Sequence, residues 1–304
     1  MERLSEYDHF PFQNDSSSPV SSGYSRGAVI QGIYHSLWSS LSSLIILLIV
    51  VSPILYGEEK KRIVPLTQGV TEIVYFLGEG KNIVAVPENT SYPPFVKKLP
   101  VFGPFYRPDL EKIVSLAPTH VIGVKYHREL LSQLNNLGIK TLMVGDTTIE
   151  EILSSIEKIG SFIGEKARGK KLKEKIITCI HRVSIRSDRK IPTLLILDAT
   201  EDKFFTAGKN SFVSQILELA GGKNIIDSSI PYPQISMEEI VKFRPAVILN
   251  LSRDDLKKRI KFIRVKIVKL NNPLLTIPGP RIPLAIELFE KALGLRKEVL
   301  NCLK

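Results

Sequence analysis

Thr148-Ile-Glu-Glu-Ile-Leu-Ser-Ser-Ile-Glu-Lys-Ile-Gly-Ser-Phe-Ile163 repeats apolar residues at Ile149, Ile152, Leu153, Ile156, Ile159, Phe162 and Ile163. This is helical spacing, with one apolar face and glutamate and lysine on the other. The continuation to about Arg186 carries no strand signal and few breakers. Asp146-Thr147-Thr148 supplies capping residues, and Glu150 and Glu151 suit the positive end of a helix dipole. Gly160, Gly164 and Gly169 weaken the pattern. The simplest reading is nevertheless one long helix over residues 147–188, tens of ångströms long at about 1.5 Å per residue.

On both sides of this stretch the rhythm is different. Upstream, β-branched runs at Ile63–Leu66, Asn82–Val86, His120–Val124 and Lys140–Val144 alternate with helical patterns at Val70–Leu77, Asp109–Leu116 and Glu129–Leu137. Downstream, strands are expected at Thr193–Asp198, Ala246–Leu249 and Val265–Leu270. Helices are expected there at Ser211–Ala220, Met237–Phe243, Asp254–Phe262 and Ile282–Leu293. Strands alternating with helices imply parallel sheets covered on both faces. The reading is therefore an α/β lobe (58–146), a bridging helix (147–188) and a second α/β lobe (189–304). A ligand would lie in the cleft between them, outside the carboxyl ends of the strands.

Residues 1–35 are rich in serine, glycine and polar residues and read as disordered. Leu44-Ile-Ile-Leu-Leu-Ile-Val-Val51, inside Leu37–Tyr56, is continuously apolar and uncharged. It suits a secretory signal or a short membrane anchor, so residues 1–57 are set apart as tail plus export segment. The basic side of this segment is awkward, because Lys60-Lys61-Arg62 follows it rather than precedes it.

The chain of 304 residues carries a net charge of +11, and residues 1–57 contribute two basic and four acidic residues, leaving +13 on the remainder. Acidic residues are interspersed throughout, and no nucleic-acid motif accompanies the charge. Cys179 and Cys302 are too few for a disulfide framework. A single bridge between them stays open, with nothing in the sequence drawing them together. The five histidines show no HxH or HxxxH spacing, which argues against a direct zinc or manganese site. There is no GxGxxG, no Walker lysine and no GxSxG, so no catalytic constellation is legible and no enzyme is expected.

Several short motifs follow one another in a telling order: Arg62-Ile-Val-Pro-Leu66, Thr71-Glu72, Leu77-Gly78, Tyr92-Pro93-Pro94 and Pro108-Asp-Leu-Glu111-Lys-Ile-Val-Ser-Leu-Ala-Pro118. Gly221-Gly222-Lys-Asn224-Ile-Ile226, Tyr232-Pro233-Gln234-Ile-Ser236-Met-Glu238, Arg244-Pro245-Ala-Val-Ile248 and Pro280-Arg281-Ile282 continue the series. In this order, from about residue 62 to 293, the chain resembles the cobalamin and iron-siderophore class of periplasmic binding proteins that serve ABC importers.

The resemblance implies two Rossmann-like lobes joined by one stiff helix. It implies delivery of a small-molecule metal chelate to permease subunits served by a separate ATPase. The location would be periplasmic or on the extracellular face of the cytoplasmic membrane, reached by export or anchoring through residues 37–56. It carries over a monomer with no cofactor of its own. Glu111 and Glu238 match the surface glutamates that dock on arginine pockets of the permease. Asn89, Phe105, Phe205 and Tyr232 match positions that line the family's ligand cleft, where aromatics cover large flat ligands, and Tyr126 and His127, just past the His120–Val124 strand, should also face it. Each aromatic can equally be lobe core, and His127 is either a ligand to a metal centre such as haem iron or a residue at the start of a helix. Cobalamin binders of the family carry charged contacts from the loop before the last helix. Here that loop, Asn271-Asn-Pro-Leu-Leu-Thr-Ile-Pro-Gly-Pro280, has neither acid nor arginine. A corrinoid, a ferric siderophore and haem all stay open. So do a membrane-tethered sensor or scaffold without transport, and an α/β enzyme acting on a metal chelate.

Overall fold

The structure, a computed structural model, describes residues 60–184, 190–200, 203–260 and 263–296, with Cys302. The export segment expected at residues 37–56 lies outside the described residues. Among those described, no helix is long and apolar enough to cross a membrane.

Ile63–Pro65 (β1), His120–Val124 (β2) and Lys140–Val144 (β3) form a parallel sheet in the order β1-β2-β3. All five residues of β2 are buried, as a central parallel strand covered on both faces requires, whereas β3 is half exposed at its edge. Gln68–Phe76 (α1), Leu110–Ser115 (α2) and Arg128–Asn136 (α3) accompany this sheet. Asn82–Val86, expected as a strand, contributes only isolated bridges, Ile83 to Ile63 and Val86 to Val101.

The second sheet runs β10-β9-β4-β7, built from Lys266–Lys269, Val247–Asn250, Ile191–Ile196 and Gly222–Asn224, again all parallel. Phe212–Leu219 (α6), Met237–Phe243 (α7), Leu256–Arg259 (α8) and Ile282–Leu293 (α9) accompany it. A small antiparallel sheet of Asp198–Ala199 (β5), Phe204–Phe205 (β6) and Gln234–Ile235 (β8) adds to this half and carries no clear sequence signal. The chain is thus two α/β halves, as the alternation of patterns predicts.

The bridge differs from the expectation of one long helix. It consists of two helices, Ile149–Phe162 (α4) and Lys166–Val183 (α5), which pack on one another. The physical reason is local. Gly164 adopts φ +80° at the end of α4, a left-handed conformation that suits glycine and stops a helix. The Glu165 amide then donates to the Gly160 carbonyl at 2.6 Å, turning the chain back. Gly160 and Gly169 lie where the helices cross: a Cβ on Gly160 would stand 3.0 Å from the Gly169 Cα. Lys173 reaches Glu157 across the pair at 2.6 Å.

The two helices serve both cores. Ile156, Ile159, Leu172 and Ile176 pack with Ile63, Val70 and Ile73 of the first half. Ile152 and Val183 pack with Phe212, Ile216 and Phe289 of the second. α4 is tied to the second half at its start, where the Phe212 amide donates to the Thr147 carbonyl at 2.6 Å. There the Ile149 amide also donates to Gln215 Oε1 at 2.7 Å. At the far end, Lys61 of the first half lies 3.9 Å from Glu165. A disulfide joins Cys179 of α5 to Cys302, so the bridge that the sequence leaves open is formed.

Candidate functional site

Both sheets turn the carboxyl ends of their strands toward a cleft of about 430 Å³. In parallel α/β sheets the loops leaving those ends can diverge, and ligand sites collect there. Thr67-Gln68-Gly69 follows β1 directly, and the Thr67 hydroxyl caps α1 by accepting from the Val70 amide at 3.2 Å. Asp146 stands two residues past β3. Phe105 and Tyr106 form part of one wall, Phe212 and Tyr232 part of the other, and Thr276-Ile277-Pro278 closes one end. Glu88 and Asn89 complete the rim, with Asn89 at φ +61°, a left-handed conformation that asparagine tolerates.

The cleft therefore gathers Asn89, Phe105 and Tyr232 of the residues the resemblance points to. The others lie elsewhere. Phe205 sits in the small antiparallel sheet, paired with Asp198 and Gln234, and does not line the cleft. Tyr126 is 67% exposed and His127 only 3%. Both border a separate depression, shared with Tyr106, Lys125 and Arg128. His127 is engaged at both ring nitrogens: Nδ1 accepts from the Val124 amide at 3.2 Å, and Nε2 lies 2.7 Å from the Phe105 carbonyl oxygen. An accepting Nδ1 makes Nε2–H the donor, which is the neutral ring. Burial holds the His127 pKa below its usual value, against the opposing pull of the Phe105 carbonyl. This histidine anchors the loop that presents Phe105 and offers no free nitrogen to a metal. Among the described residues no cluster of three or more histidine, cysteine, aspartate or glutamate side chains can hold a metal ion.

Three features of the site have no counterpart in the sequence reading. The first is a clamp between the halves. Arg281, just before α9, donates to Glu72 of α1 from Nε at 2.8 Å and from Nη2 at 2.5 Å, and stacks over the Tyr92 ring at 4.1 Å. Glu72 is fully buried; burial raises its pKa, and the Arg281 hydrogen bonds and charge pull against that rise. The second is a close approach: a Cβ on Gly69 would lie 2.1 Å from the Pro278 carbonyl oxygen, so only glycine lets α1 meet the loop that closes the cleft. The third is the charge of the lining. It contains Glu88 and Asp146 and no lysine, arginine or histidine, although the whole chain is strongly basic. Burial, then the charge of Glu151, pushes the Asp146 pKa up to about 6. Burial, then the charge of Asp146, pushes the Tyr232 pKa up to about 12.

Away from the cleft, Glu111 and Glu238 occupy the first turns of α2 and α7 and are exposed. Asp109 caps the first helix, accepting from the Lys112 amide at 3.0 Å, and Ser236 with Glu239 forms a capping box on the second. Hydrogen bonds from Ser236 and from its own backbone hold the Glu238 pKa below the usual carboxylate value. Among the described residues neither glutamate enters an ion pair.

A family model described as "Periplasmic binding protein" matches residues 63–266. The vitamin B12-binding protein of Photorhabdus laumondii is 27% identical over 234 residues, 74% of this chain and 85% of that protein. The periplasmic heme-binding protein RhuT from Roseiflexus sp. RS-1, solved in apo form, superposes with a TM-score of 0.69 at 28% identity, over 77% of this chain and 99% of that one. The periplasmic vitamin B12-binding protein BtuF of Vibrio cholerae gives 0.65 at 27% identity, over 77% and 97%.

Proposed function

We propose, from the premise that this chain belongs to the periplasmic binding protein family, that it is the extracytoplasmic capture subunit of an ABC importer and that its ligand is a corrinoid. The observation that carries the reading is the inter-lobe cleft, walled by the exposed rings of Phe105, Tyr106 and Tyr232, with no lysine, arginine or histidine among its described lining residues. Aromatic walls suit the flat face of a macrocycle. The missing cations disfavour ligands that bring several negative charges into a partly buried space. The described lining residues include no histidine to serve as an imidazole ligand to haem iron. Vitamin B12-binding proteins and the heme-binding RhuT are about equally similar to this chain, so the choice rests on the cleft lining. The neutral loop Thr276-Ile277-Pro278 then contributes shape where other cobalamin binders use charge.

In this mechanism the cleft captures the chelate by burying its face against the aromatics. Glu111 and Glu238 present one carboxylate from each half to arginines of the permease. ATP is hydrolysed on separate subunits. The Cys179–Cys302 disulfide accords with an oxidising compartment outside the cytoplasm.

The test is thermal unfolding of the full chain with cyanocobalamin, haem and several ferric siderophores. A ligand at roughly 100 times its dissociation constant adds about 2.7 kcal/mol of stability. A raised midpoint with cyanocobalamin is the expected outcome. A shift with haem or a siderophore alone would replace the ligand assignment, and no shift with any chelate would overturn the binding role.

A further inference from the structure

Asp146 occupies a position the capture of a flat ligand does not explain. It sits past the end of β3, inside the cleft and facing the Tyr232 wall, among residues that are otherwise aromatic or uncharged apart from Glu88. Its carboxylate sits beside its own backbone amide, which pulls its pKa down against the rise from burial and Glu151, and it enters no ion pair with a described residue. Among the described residues no lysine, arginine or histidine lines the cleft to neutralise it. A half-buried carboxylate with spare acceptor capacity is costly to keep unless something donates to it.

We propose that Asp146 is a specificity-determining residue of the cleft: its carboxylate accepts a hydrogen bond from an amide or hydroxyl donor on an uncharged or cationic chelate and repels chelates with anionic edges. The inference rests on the cleft being the ligand site, as argued above, and adds which ligand edge it selects. Carboxylates accept from donors and repel other carboxylates and catecholates, and a cleft without cations leaves that repulsion uncompensated.

The charged and titratable groups around Asp146 are Glu151 on α4, Glu88 on the loop after Val86, and the hydroxyls of Tyr232 and Tyr106. His127 lies behind Phe105, outside the cleft. Glu151 also accepts from the Thr147 amide at 2.8 Å, which fixes its charge close to Asp146. Burial, and then the charge of Glu151, oppose ionisation of Asp146, so Asp146 titrates near pH 6. As pH falls through about 6 the acceptor becomes a neutral acid. Affinity for a donor-bearing chelate then falls, and affinity for an anionic chelate rises.

Calorimetric titration of the full chain tests this with two probes, cyanocobalamin and a ferric tricatecholate. For the wild type, cyanocobalamin should bind about tenfold more tightly at pH 7.5 than at pH 5. Asp146→Asn should weaken it about tenfold at pH 7.5 and flatten the profile, while improving binding of the tricatecholate. Glu151→Gln should keep the slope and move its midpoint to lower pH, a change that loss of structure does not produce. An unaltered profile in Asp146→Asn, at an unchanged unfolding midpoint, would overturn the role of Asp146 and leave the binding function standing. Wild-type protein that binds neither probe at any pH would overturn both the role of Asp146 and the corrinoid assignment.

Discussion

The cleft and the two exposed helix starts at Glu111 and Glu238 use carboxylates in opposite ways. In the cleft, Asp146 is half-buried, crowded by Glu151 and surrounded by aromatics, and its proton is held to higher pH. At the surface, Glu238 is fully exposed, stabilised as an anion by Ser236 and its own backbone, and free of any ion pair with a described residue. The buried acid discriminates among small molecules because desolvation makes every mismatch expensive. The exposed acids cost little while alone and become useful when a partner brings arginine and excludes water. On the proposed function, capture and delivery should therefore be separable by mutation.

Replacing Glu111 and Glu238 together by alanine should draw the sharpest line between the two regions. Uptake in cells should fall to background, while the dissociation constant of the ligand stays within about twofold. Normal uptake in that double variant would collapse the distinction. Arg281→Ala tests the clamp at the cleft's edge. It strands a fully buried Glu72 carboxylate, and denaturant unfolding should register a loss of about 3–5 kcal/mol. Removing the disulfide through Cys179→Ser with Cys302→Ser should cost about 2–4 kcal/mol by the same measurement and leave affinity untouched, since neither residue lines the cleft. Phe105→Ala or Tyr232→Ala should each weaken ligand binding about tenfold, roughly 1.4 kcal/mol, with uptake following affinity and not vanishing. Gly164→Ala should lower stability by about 1 kcal/mol through its positive φ, without effect on ligand.

Much of the fold is legible because hydrophobic period and breakers act locally. His120–Val124, Lys140–Val144, Met237–Phe243 and Ile282–Leu293 have the same bounds in the sequence pattern and in the structure. The errors fall where tertiary contact decides. The pattern from Ile149 to Val183 is helical almost throughout. The positive φ of Gly164 ends α4 locally, and the close crossing of Gly160 and Gly169, which no linear period encodes, lets the chain fold back on itself. Asn82–Val86 has strand composition but finds only bridge partners at Ile63 and Val101.

The site divides in the same way. Phe105, Tyr232 and Asn89 share the cleft from loops: Asn89 and Phe105 lie just past the bridged Val86 and Val101, and Tyr232 just before β8. His127 has the chemistry of a metal ligand, yet it is spent on the Val124 amide and the Phe105 carbonyl. Asp146 reads as a capping residue from its neighbours Thr147 and Thr148, and Thr148 is indeed the cap, accepting from the Glu151 amide at 3.1 Å. That left the aspartate facing the cleft. Glu72 and Arg281 are 209 residues apart, and their pairing is a product of the closed fold.

The paired helices α4 and α5 have a mechanical consequence. A single rod between two bodies bends with equal ease in every direction. Two rods locked side by side by Gly160 against Gly169, and by Lys173 against Glu157, form a flat beam. Such a beam resists flexure in the plane of both axes far more than out of it. The soft motions that remain, flexure out of that plane and a shallow twist, move one half against the other, and the Glu72–Arg281 clamp restrains both. A distance probe placed across the cleft mouth should record a small change on loading. A probe of relative rotation between the two sheets is the better reporter of an occupied cleft.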